Sequence, residues 1–457
     1  MPTQGDSYMA TDNAVIDKNT LSTPDKNALY RKVAWRIMPI LLVSYIVGYL
    51  DRVGISFSKF QMMPDILNGN VSMAEAVYGL GAGVFFIGYI IAGVPSNILL
   101  SKYGARKIIA LLMVVWGLIS MLSIFITNPW QFYLARFLLG LAEAGFYPGV
   151  ILYLTLWFPS SQRAKMTALF VCGIPVSNII GGPLCGWIIE NMNGMMNLSG
   201  WQWLFFISGP RALLIAIVIF YFLDNTYQSA KWLTPQEKAL IKADMDQSAP
   251  RSPNQGSSGQ QEWTMKSMLK SSAFTKMWLI CFCTVMGQGG LAFWVPTIIR
   301  DTGVVSMMDI GLLTMLPYIL AVVAMLVAAR SSDKHRERRW HIIVPFCIAA
   351  VSLIFIGLFP DNKHVVMAAL CVAVASSLVP SPLFWSLPNA IFTGSCAAAG
   401  IALINSIANI GGFISPYIIG YFKQLTNSNL VAMCVLSSMM ILGALLTYSV
   451  PAKLVNK

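Results

Sequence analysis

The sequence predicts an all-α membrane protein whose twelve transmembrane helices form two pseudo-symmetric six-helix bundles. Hydrophobic residues make up 56% of the chain and charged residues 11%, whereas about a quarter of the residues in soluble domains are charged. Apolar segments of about 20 residues, the length of a membrane-crossing helix, recur along the whole chain. A short basic loop also recurs at the same place in each half, which indicates a duplicated unit.

Each expected span ends where an apolar segment meets polar or charged residues. The twelve spans run over 33–56, 76–100, 106–126, 129–155, 164–190, 201–224, 273–299, 306–330, 340–360, 363–388, 393–422 and 427–450. The repeated basic loops, SKYGARK and SSDKHRERRW, follow spans two and eight. These positions predict that the two bundles share one internal topology.

A polar segment at 225–272 separates the two halves, and its second part is rich in Ser, Pro, Gly and Gln, as linkers are. The first 30 residues are polar and lack the apolar stretch of a signal peptide. We therefore expect a tail, a bundle, a linker, a second bundle and a short tail. Their predicted bounds are 1–30, 31–224, 225–272, 273–450 and 451–457.

The basic residues predict the orientation, because Lys and Arg in short loops tend to stay in the cytoplasm. With both termini inside, 24 of the 31 Lys and Arg residues fall in cytoplasmic segments. A bacterial inner-membrane protein, multi-pass and monomeric, with both termini cytoplasmic, is expected. The net charge of +12 then reflects topology, so no nucleic-acid partner is expected.

Four charged residues lie inside spans one and four, where charges are costly and usually functional. Asp51 and Arg52 are adjacent in YLDRVGISF, and their side chains should point about 100° apart on a helix. Arg136 and Glu143 are seven residues apart, on one face of span four. We expect these four to form a network that moves protons and binds an anion. The alternative is a packing device made of buried ion pairs, but such pairs contribute little net stability.

The second half supplies neutral polar groups at places where its spans should be loosened. Span seven contains Gln288 among three glycines, with Pro296 near its end, and span ten contains three prolines beside Ser386 and Asn389. Interrupted helices at mid-membrane depth are typical of transporter binding sites. Span eleven carries Asn405 and Asn409 on one face. Each of these groups could instead make a helix–helix hydrogen bond or a packing kink.

Other function classes fit the sequence poorly. The three histidines fall in or beside loops, no G-x-S-x-G motif is present, and the eight cysteines are scattered through the spans. No enzyme, metal site or cofactor is therefore expected. A receptor would be expected to carry a sizeable soluble domain, and the longest loop is mostly linker.

Several motifs resemble one known family in the same order. They are YLDRVGISF in span one, VPSNILLSKYGARK after span two, ARFLLGLAEAGFYPGVILYLTLWFP in span four, GWQWLFFISG opening span six and SSDKHRERRWH after span eight. The chain resembles the major facilitator superfamily and, within it, the anion:cation symporter family of bacterial organic-acid permeases. The resemblance implies two six-helix bundles around a cavity lined by spans one, four, seven and ten.

The resemblance also implies roles for individual residues. Asp51 and Glu143 would carry protons, while Arg52 and Arg136 would bind the substrate carboxylate. Apart from the resemblance, Tyr49 and the polar groups of the second half are expected beside the substrate, although aromatic residues in the spans, such as Tyr49, Tyr147 and Trp385, more often face lipid or the core. The basic loops would act in gating, through Gly104, Arg106, Asp333 and Arg338. The chain departs from the family pattern at Ser101 and Ser208, where an acid is usual, and at Arg211, which could bind an anion or reach toward the membrane surface.

The function expected from the sequence is proton-coupled uptake of a small organic carboxylate, such as a hydroxy, sugar or aromatic acid. The expected partners are this anion, protons and the lipid bilayer. An exchanger or exporter of organic anions that uses the same arginines is the alternative.

Overall fold

A computed structural model describes residues 23–248, 265–392 and 397–452. Within these ranges it has twelve helical segments that are long and apolar enough to cross a membrane, so the predicted number of spans is confirmed. Seven spans are single helices and a further one lies within a longer helix. These eight helices are α1 (Thr23–Ile66), α2 (Ala74–Tyr103), α3 (Ala105–Leu122), α8 (Gly200–Phe222), α11 (Ser272–Asp301), α12 (Met307–His335), α13 (Trp340–Leu358) and α19 (Leu430–Tyr448).

The other four spans are interrupted helices. Span four breaks between α4 (Pro129–Glu143) and α5 (Phe146–Trp157), and span five between α6 (Ser160–Val171) and α7 (Gly173–Asn191). Span ten consists of α14 (Lys363–Leu378), α15 (Pro380–Phe384) and α16 (Ser386–Ile391), and span eleven of α17 (Ala397–Ala408) and α18 (Ile410–Thr426). Between spans six and seven lie α9 (Pro235–Ser248) and α10 (Met265–Leu269).

The predicted interruption of span ten is confirmed, but the predicted loosening of span seven is wrong. Helix α11 runs unbroken through Gly287, Gly290 and Pro296. The glycines serve packing instead, because a Cβ on Gly290 would lie 3.0 Å from side-chain atoms of Ile419 and Leu436. Proline is tolerated in membrane helices when neighbouring groups satisfy the backbone.

The helix contacts repeat from one half to the other. Helix α3 packs on α8 as α13 packs on α19, and α2 packs on α4 as α12 packs on α14. The halves meet along α2 with α18 and along α7 with α12, which are equivalent pairs. At the second of these interfaces a Cβ on Gly182 would lie 2.6 Å from the carbonyl oxygen of Gly311, so the backbones touch directly. This is the predicted pair of pseudo-symmetric bundles.

Polar contacts join the halves on the side opposite the segment between spans six and seven, which we call the far side. Lys59 Nζ lies 2.6 Å from Glu75 Oε2 and 3.3 Å from Thr297 Oγ1 of the second half. The Tyr78 hydroxyl donates to the Phe293 carbonyl oxygen at 3.0 Å. These contacts close the far end of the space between the halves.

On the other side, helix α9 packs against the start of α1. Lys26 lies 2.8 Å from Asp244, and Lys32 lies 2.8 Å from Glu237. Burial alone would raise the pKa of Glu237, but hydrogen bonds from Lys32 and Thr234 outweigh it and lower this pKa. Glu237 therefore stays ionised at neutral pH, and the stability that its ionised form contributes is lost as the pH falls through that lowered pKa.

Candidate functional site

A cavity of about 160 Å³ lies between the two halves. A neighbouring cavity of about 140 Å³ shares Tyr49, Arg52 and Gln288 with it, so the two form one space. Spans one, four, seven and ten line this space as predicted, and spans two, three, five, eight and eleven add to its walls. We call it the central cavity.

One ion pair faces the central cavity, formed by Arg52 of α1 and Glu143 at the end of α4. Arg52 Nη2 and Nε donate to Glu143 Oε2 at 2.8 and 3.1 Å. The Glu143 side chain is 7% exposed and that of Arg52 is 21% exposed. Span four is interrupted immediately after Glu143. The guanidinium is therefore the accessible partner, and a buried carboxylate holds it in place.

Aromatic rings surround the Arg52 guanidinium. Its central carbon lies 4.8 Å from the Tyr49 ring centroid, 4.8 Å from that of Phe85 and 5.9 Å from that of Tyr89. The faces of such rings carry partial negative charge and attract a cation. The rings stabilise the positive charge without neutralising it, so Arg52 remains able to bind an anion.

Asp51 points away from the central cavity into the first bundle. Its carboxylate accepts hydrogen bonds from Trp116 Nε1 and Ser208 Oγ, and Ser120 Oγ donates to Ser208 at 3.2 Å. The ring of Trp116 also lines the central cavity, so one side chain separates Asp51 from it. Adjacent side chains on a helix point about 100° apart, as predicted here. Arg52 therefore faces the central cavity, whereas Asp51 lies inside the first bundle.

Arg136 is buried, with a relative exposure of 3%, and it lines neither part of the central cavity. Its Nε and Nη2 atoms have no hydrogen-bond partner among the described residues. Its guanidinium carbon lies 4.7 Å from the Phe85 ring centroid, and that ring is also close to Arg52. The structure therefore brings two members of the predicted network, Arg52 and Glu143, into an ion pair, and places Asp51 and Arg136 around them.

The neutral polar groups of the second half divide into two sets. Gln288, Asn405 and Asn409 line the central cavity, where Gln288 Nε2 donates to the Ser377 carbonyl oxygen at 3.1 Å. Asn409 Nδ2 donates to the Asn405 carbonyl oxygen at 2.9 Å. Ser386 Oγ bonds to the Leu383 carbonyl oxygen within its own span and does not line the cavity. The side chain of Asn389 lies outside the described part of the chain.

Residues 41–416 match the Major Facilitator Superfamily. The chain belongs to this superfamily. A relative from Pseudomonas putida, "Putative metabolite transport protein NicT", is 42% identical over 94% of this chain and 96% of its own. A "Putative tartrate transporter" from Agrobacterium vitis is 39% identical over 91% of this chain and 90% of its own. The "Quinolone resistance transporter" of Acinetobacter baumannii is 38% identical over 93% of this chain and 95% of its own.

The fold agrees with that of solved superfamily members. The crystal structure of a D-xylose-proton symporter superimposes with a TM-score of 0.74 at 16% identity, covering 92% of this chain and 98% of that one. The protein is thus a secondary transporter of the major facilitator superfamily, a multi-pass membrane protein and not an enzyme. The relatives' names accord with the resemblance to the anion:cation symporter family.

The two loops predicted to act in gating occupy equivalent places in this superfamily fold. Gly104 joins α2 to α3 with a φ of +90°, which a side chain would disfavour, and Arg106 Nη1 donates to the Leu223 carbonyl oxygen at 3.0 Å. In the second half, Arg338 Nη2 lies 2.6 Å from Asp333 Oδ1. The first loop thus bonds to a helix end, and the second holds an ion pair.

Several residues of the site were missed at the sequence level. They are Trp116, which donates a hydrogen bond to Asp51, and Phe85 and Tyr89, whose rings lie beside Arg52. Nothing marks these side chains in an apolar span, because aromatic residues there face lipid or core as often as a cavity. Arg211, which the sequence left open, shares a cleft with Asp51 and Ser208 inside the first bundle.

Proposed function

We propose that this transporter takes up a small organic carboxylate together with protons by alternating access. The candidate substrates are hydroxy, sugar and aromatic acids. The observation that carries the proposal is the Arg52–Glu143 pair at the wall of the central cavity, at 2.8 Å. A guanidinium presents a planar fork that suits a carboxylate and stays charged at every physiological pH. An anion is therefore the cargo that this cavity suits best.

The same pair supplies a mechanism for coupling. A substrate carboxylate that binds Arg52 competes with Glu143 for the same donors. Glu143 would then be a buried carboxylate without its partner, which is costly unless it takes up a proton. Anion and proton therefore bind together, and release of the proton restores the ion pair and expels the anion. Neither the anion nor the proton crosses the membrane efficiently without the other.

Two further charged residues, which do not line the central cavity, are proposed to take part in coupling and anion binding. Asp51 is the second proposed proton carrier, connected to the cavity through Trp116. Arg136, buried and with two nitrogens unbonded, is the second proposed anion ligand and would need a rearrangement to reach the substrate. The two basic loops, with Gly104, Arg106, Asp333 and Arg338, are the proposed gating elements.

The membrane setting and partners are also proposals. The one-sided distribution of Lys and Arg supports a bacterial inner-membrane location with both termini in the cytoplasm. The far-side contacts of Lys59, Glu75 and Thr297 would then close the outer face, with the cavity in contact with the cytoplasmic side. The protein is proposed to act as a monomer.

One relative's name supports a carboxylate cargo, and the names leave the direction of transport open. The Agrobacterium relative is named for tartrate, a hydroxy acid that carries two carboxylates. The Acinetobacter relative is named for quinolone resistance, and export would be one route to resistance. An exporter or exchanger of organic anions therefore stands as the second candidate.

Transport by purified protein in proteoliposomes distinguishes the two candidates. Labelled carboxylate is supplied outside under an imposed inward proton gradient, with and without unlabelled anion inside. Uptake that follows the proton gradient in empty vesicles supports proton-coupled symport. Uptake that requires internal anion and ignores the gradient supports the exchanger.

A further inference from the structure

We propose that the central cavity selects planar aromatic carboxylates over polyhydroxylated aliphatic acids; this rests on the proposed function and narrows its substrate class. Nine aromatic side chains are among the 21 residues that line the main part of the cavity. They come from both halves of the protein. Aromatic walls on two sides of a single guanidinium suit a flat ring that ends in a carboxylate.

The first half contributes a cluster of rings beside the ion pair. Tyr45 packs edge-on against Tyr49 at 5.3 Å and near Tyr147 at 6.2 Å, while Trp116 packs edge-on against Phe146 at 6.1 Å. All five line the cavity. Aromatic pairs prefer offset-stacked or edge-to-face arrangements, so a ligand ring that enters this cluster gains specific contacts beyond simple burial.

The second half places two rings at the opposite wall because span ten is broken there. Trp385 lies between α15 and α16, and it packs edge-on against Phe384 at 5.1 Å. Both line the cavity, and Trp385 is only partly buried. When the halves close around a substrate, a flat ring would be held between Trp385 and the cluster of the first half.

Two amide groups of the cavity are partly occupied by bonds to the protein itself. One side-chain N–H of Gln288 and one of Asn409 bond to main-chain carbonyl oxygens. A sugar acid would bury several hydroxyl groups, each of which needs a partner. An aromatic acid needs polar partners only at its carboxylate, and Arg52 supplies them.

Thermal unfolding of the purified protein in detergent tests this selectivity with four probes at equal concentration and ionic strength. The probes are benzoate, cyclohexanecarboxylate, benzamide and L-tartrate. Benzoate is expected to stabilise most, binding roughly 2- to 10-fold more tightly than cyclohexanecarboxylate, since ring contacts contribute about 0.5–1.5 kcal/mol beyond burial. Benzamide and tartrate are expected to stabilise least.

Two variants locate the effect. Trp385→Leu and Tyr147→Leu should each reduce the preference for benzoate over cyclohexanecarboxylate while keeping the preference for benzoate over benzamide. Trp130→Leu is the control, because Trp130 is 80% exposed and lies outside the cavity. The unfolding temperature without ligand reports whether each variant is folded. Because there are two cavity variants, the test can still be made if one of them does not fold.

The outcomes separate this inference from the function on which it rests. Stronger stabilisation by tartrate than by benzoate, or equal stabilisation by benzoate and cyclohexanecarboxylate, would overturn the aromatic preference and leave a carboxylate transporter. Equal stabilisation by benzoate and benzamide would overturn the carboxylate site itself. No stabilisation by any of the four would overturn the aromatic preference as well.

Discussion

Arg52 directs two of its nitrogens, Nη2 and Nε, at a single oxygen of Glu143 at 2.8 and 3.1 Å, at the wall of a cavity between the two halves of the protein. Arg52 belongs to span one and Glu143 to span four, and the interruption of span four follows Glu143 directly. The pair is thus both a structural link within the first bundle and the accessible charge of the cavity. Its two roles lead to different predictions.

Glu143→Gln is expected to separate movement from energy coupling. Glutamine keeps the size of the side chain and mimics a permanently protonated acid. The variant should lose accumulation driven by a proton gradient, because no proton can be released, but should still exchange labelled for unlabelled anion. Gradient-driven uptake and counterflow are measured on the same proteoliposomes.

The control for this variant is Asp361→Asn, which removes an exposed carboxylate from the loop before span ten. It should behave as the wild type in both assays. Wild-type gradient-driven accumulation by Glu143→Gln would remove Glu143 from the coupling mechanism.

Arg52→Ala should abolish both gradient-driven uptake and counterflow. Hydrogen bonds to charged groups contribute about 1.5–3 kcal/mol, so Arg52→Ala is expected to weaken anion binding by at least roughly 10-fold. Arg52→Lys keeps the charge but loses the planar fork and should bind with intermediate affinity. The affinity for the carboxylate is measured by competition binding on the wild type, Arg52→Ala and Arg52→Lys. Unchanged affinity in Arg52→Ala would contradict the assignment of Arg52 as the anion ligand.

The stability of the same variants tests the structural role of the pair. Arg52→Ala leaves Glu143 buried without its partner, which typically costs about 3–5 kcal/mol for a fully buried pair and less here because Arg52 faces the cavity. The double variant Arg52→Ala/Glu143→Gln should recover part of this loss in thermal unfolding. A double variant no more stable than Arg52→Ala would show that the unpaired carboxylate is not the cause.

Asp51→Asn is expected to lose gradient-driven accumulation and to retain counterflow, as Glu143→Gln does. Asparagine can still accept the hydrogen bond of Trp116, so folding should be preserved. If the charges of spans one and four only hold helices together, substitutions at Asp51, Arg52, Arg136 and Glu143 should all lower folding yield and thermal stability while residual transport stays proton-driven. Gradient-driven uptake equal to the wild type in Asp51→Asn would exclude Asp51 from coupling.

Lys59→Met should favour opening of the far side. The Lys59 side chain is 5% exposed and contacts Glu75 of its own half and Thr297 of the other. Loss of a charge-assisted bond of about 1.5–3 kcal/mol would shift the equilibrium between closed and open states roughly 10- to 100-fold. Spin labels at Asn70 and Val305, exposed positions on the far ends of the two halves, would report longer distances.

This experiment requires a background without the eight native cysteines. Lys363→Met is the control, because Lys363 is exposed near the start of span ten and lies at the far side as well. An unchanged distance distribution in Lys59→Met would show that the lysine does not hold the far side closed.

The twelve spans could be predicted because hydropathy and length are local properties of the sequence. The breaks after Glu143, at Cys172 and at Asn409 were not predicted. Pro148 and Pro175 remove the N–H groups that would bond to the carbonyls of Ala144 and Val171 at the first two breaks, and two glycines follow Asn409 at the third. Conversely, the glycines of span seven predicted a loosened helix. Helix α11 is continuous there, and its glycines pack closely against spans eleven and twelve. Local signals therefore locate spans better than they locate interruptions.

The candidate site could be predicted in part. Charges in an apolar span are conspicuous, and helix geometry correctly placed Asp51 and Arg52 in different directions. Which acid would pair with Arg52 depends on how spans one and four are rotated against each other, and that rotation is set by packing. The break of span ten beside Trp385 was predicted from its prolines, but the sequence favoured lipid or the core for aromatic residues such as Trp385 and Tyr147, because which side of a helix faces the cavity is also set by packing.

Proton uptake on anion binding tests the central claim most directly. The purified protein is placed in weakly buffered detergent solution with a pH indicator, and sodium benzoate and sodium L-tartrate are added in separate titrations. For an anion that binds, the wild type should take up close to one proton per anion, because the anion displaces Glu143 from Arg52, and Glu143→Gln should bind the anion without taking up a proton. Anion binding by the wild type without proton uptake, or equal proton uptake by Glu143→Gln, would contradict coupling through this pair.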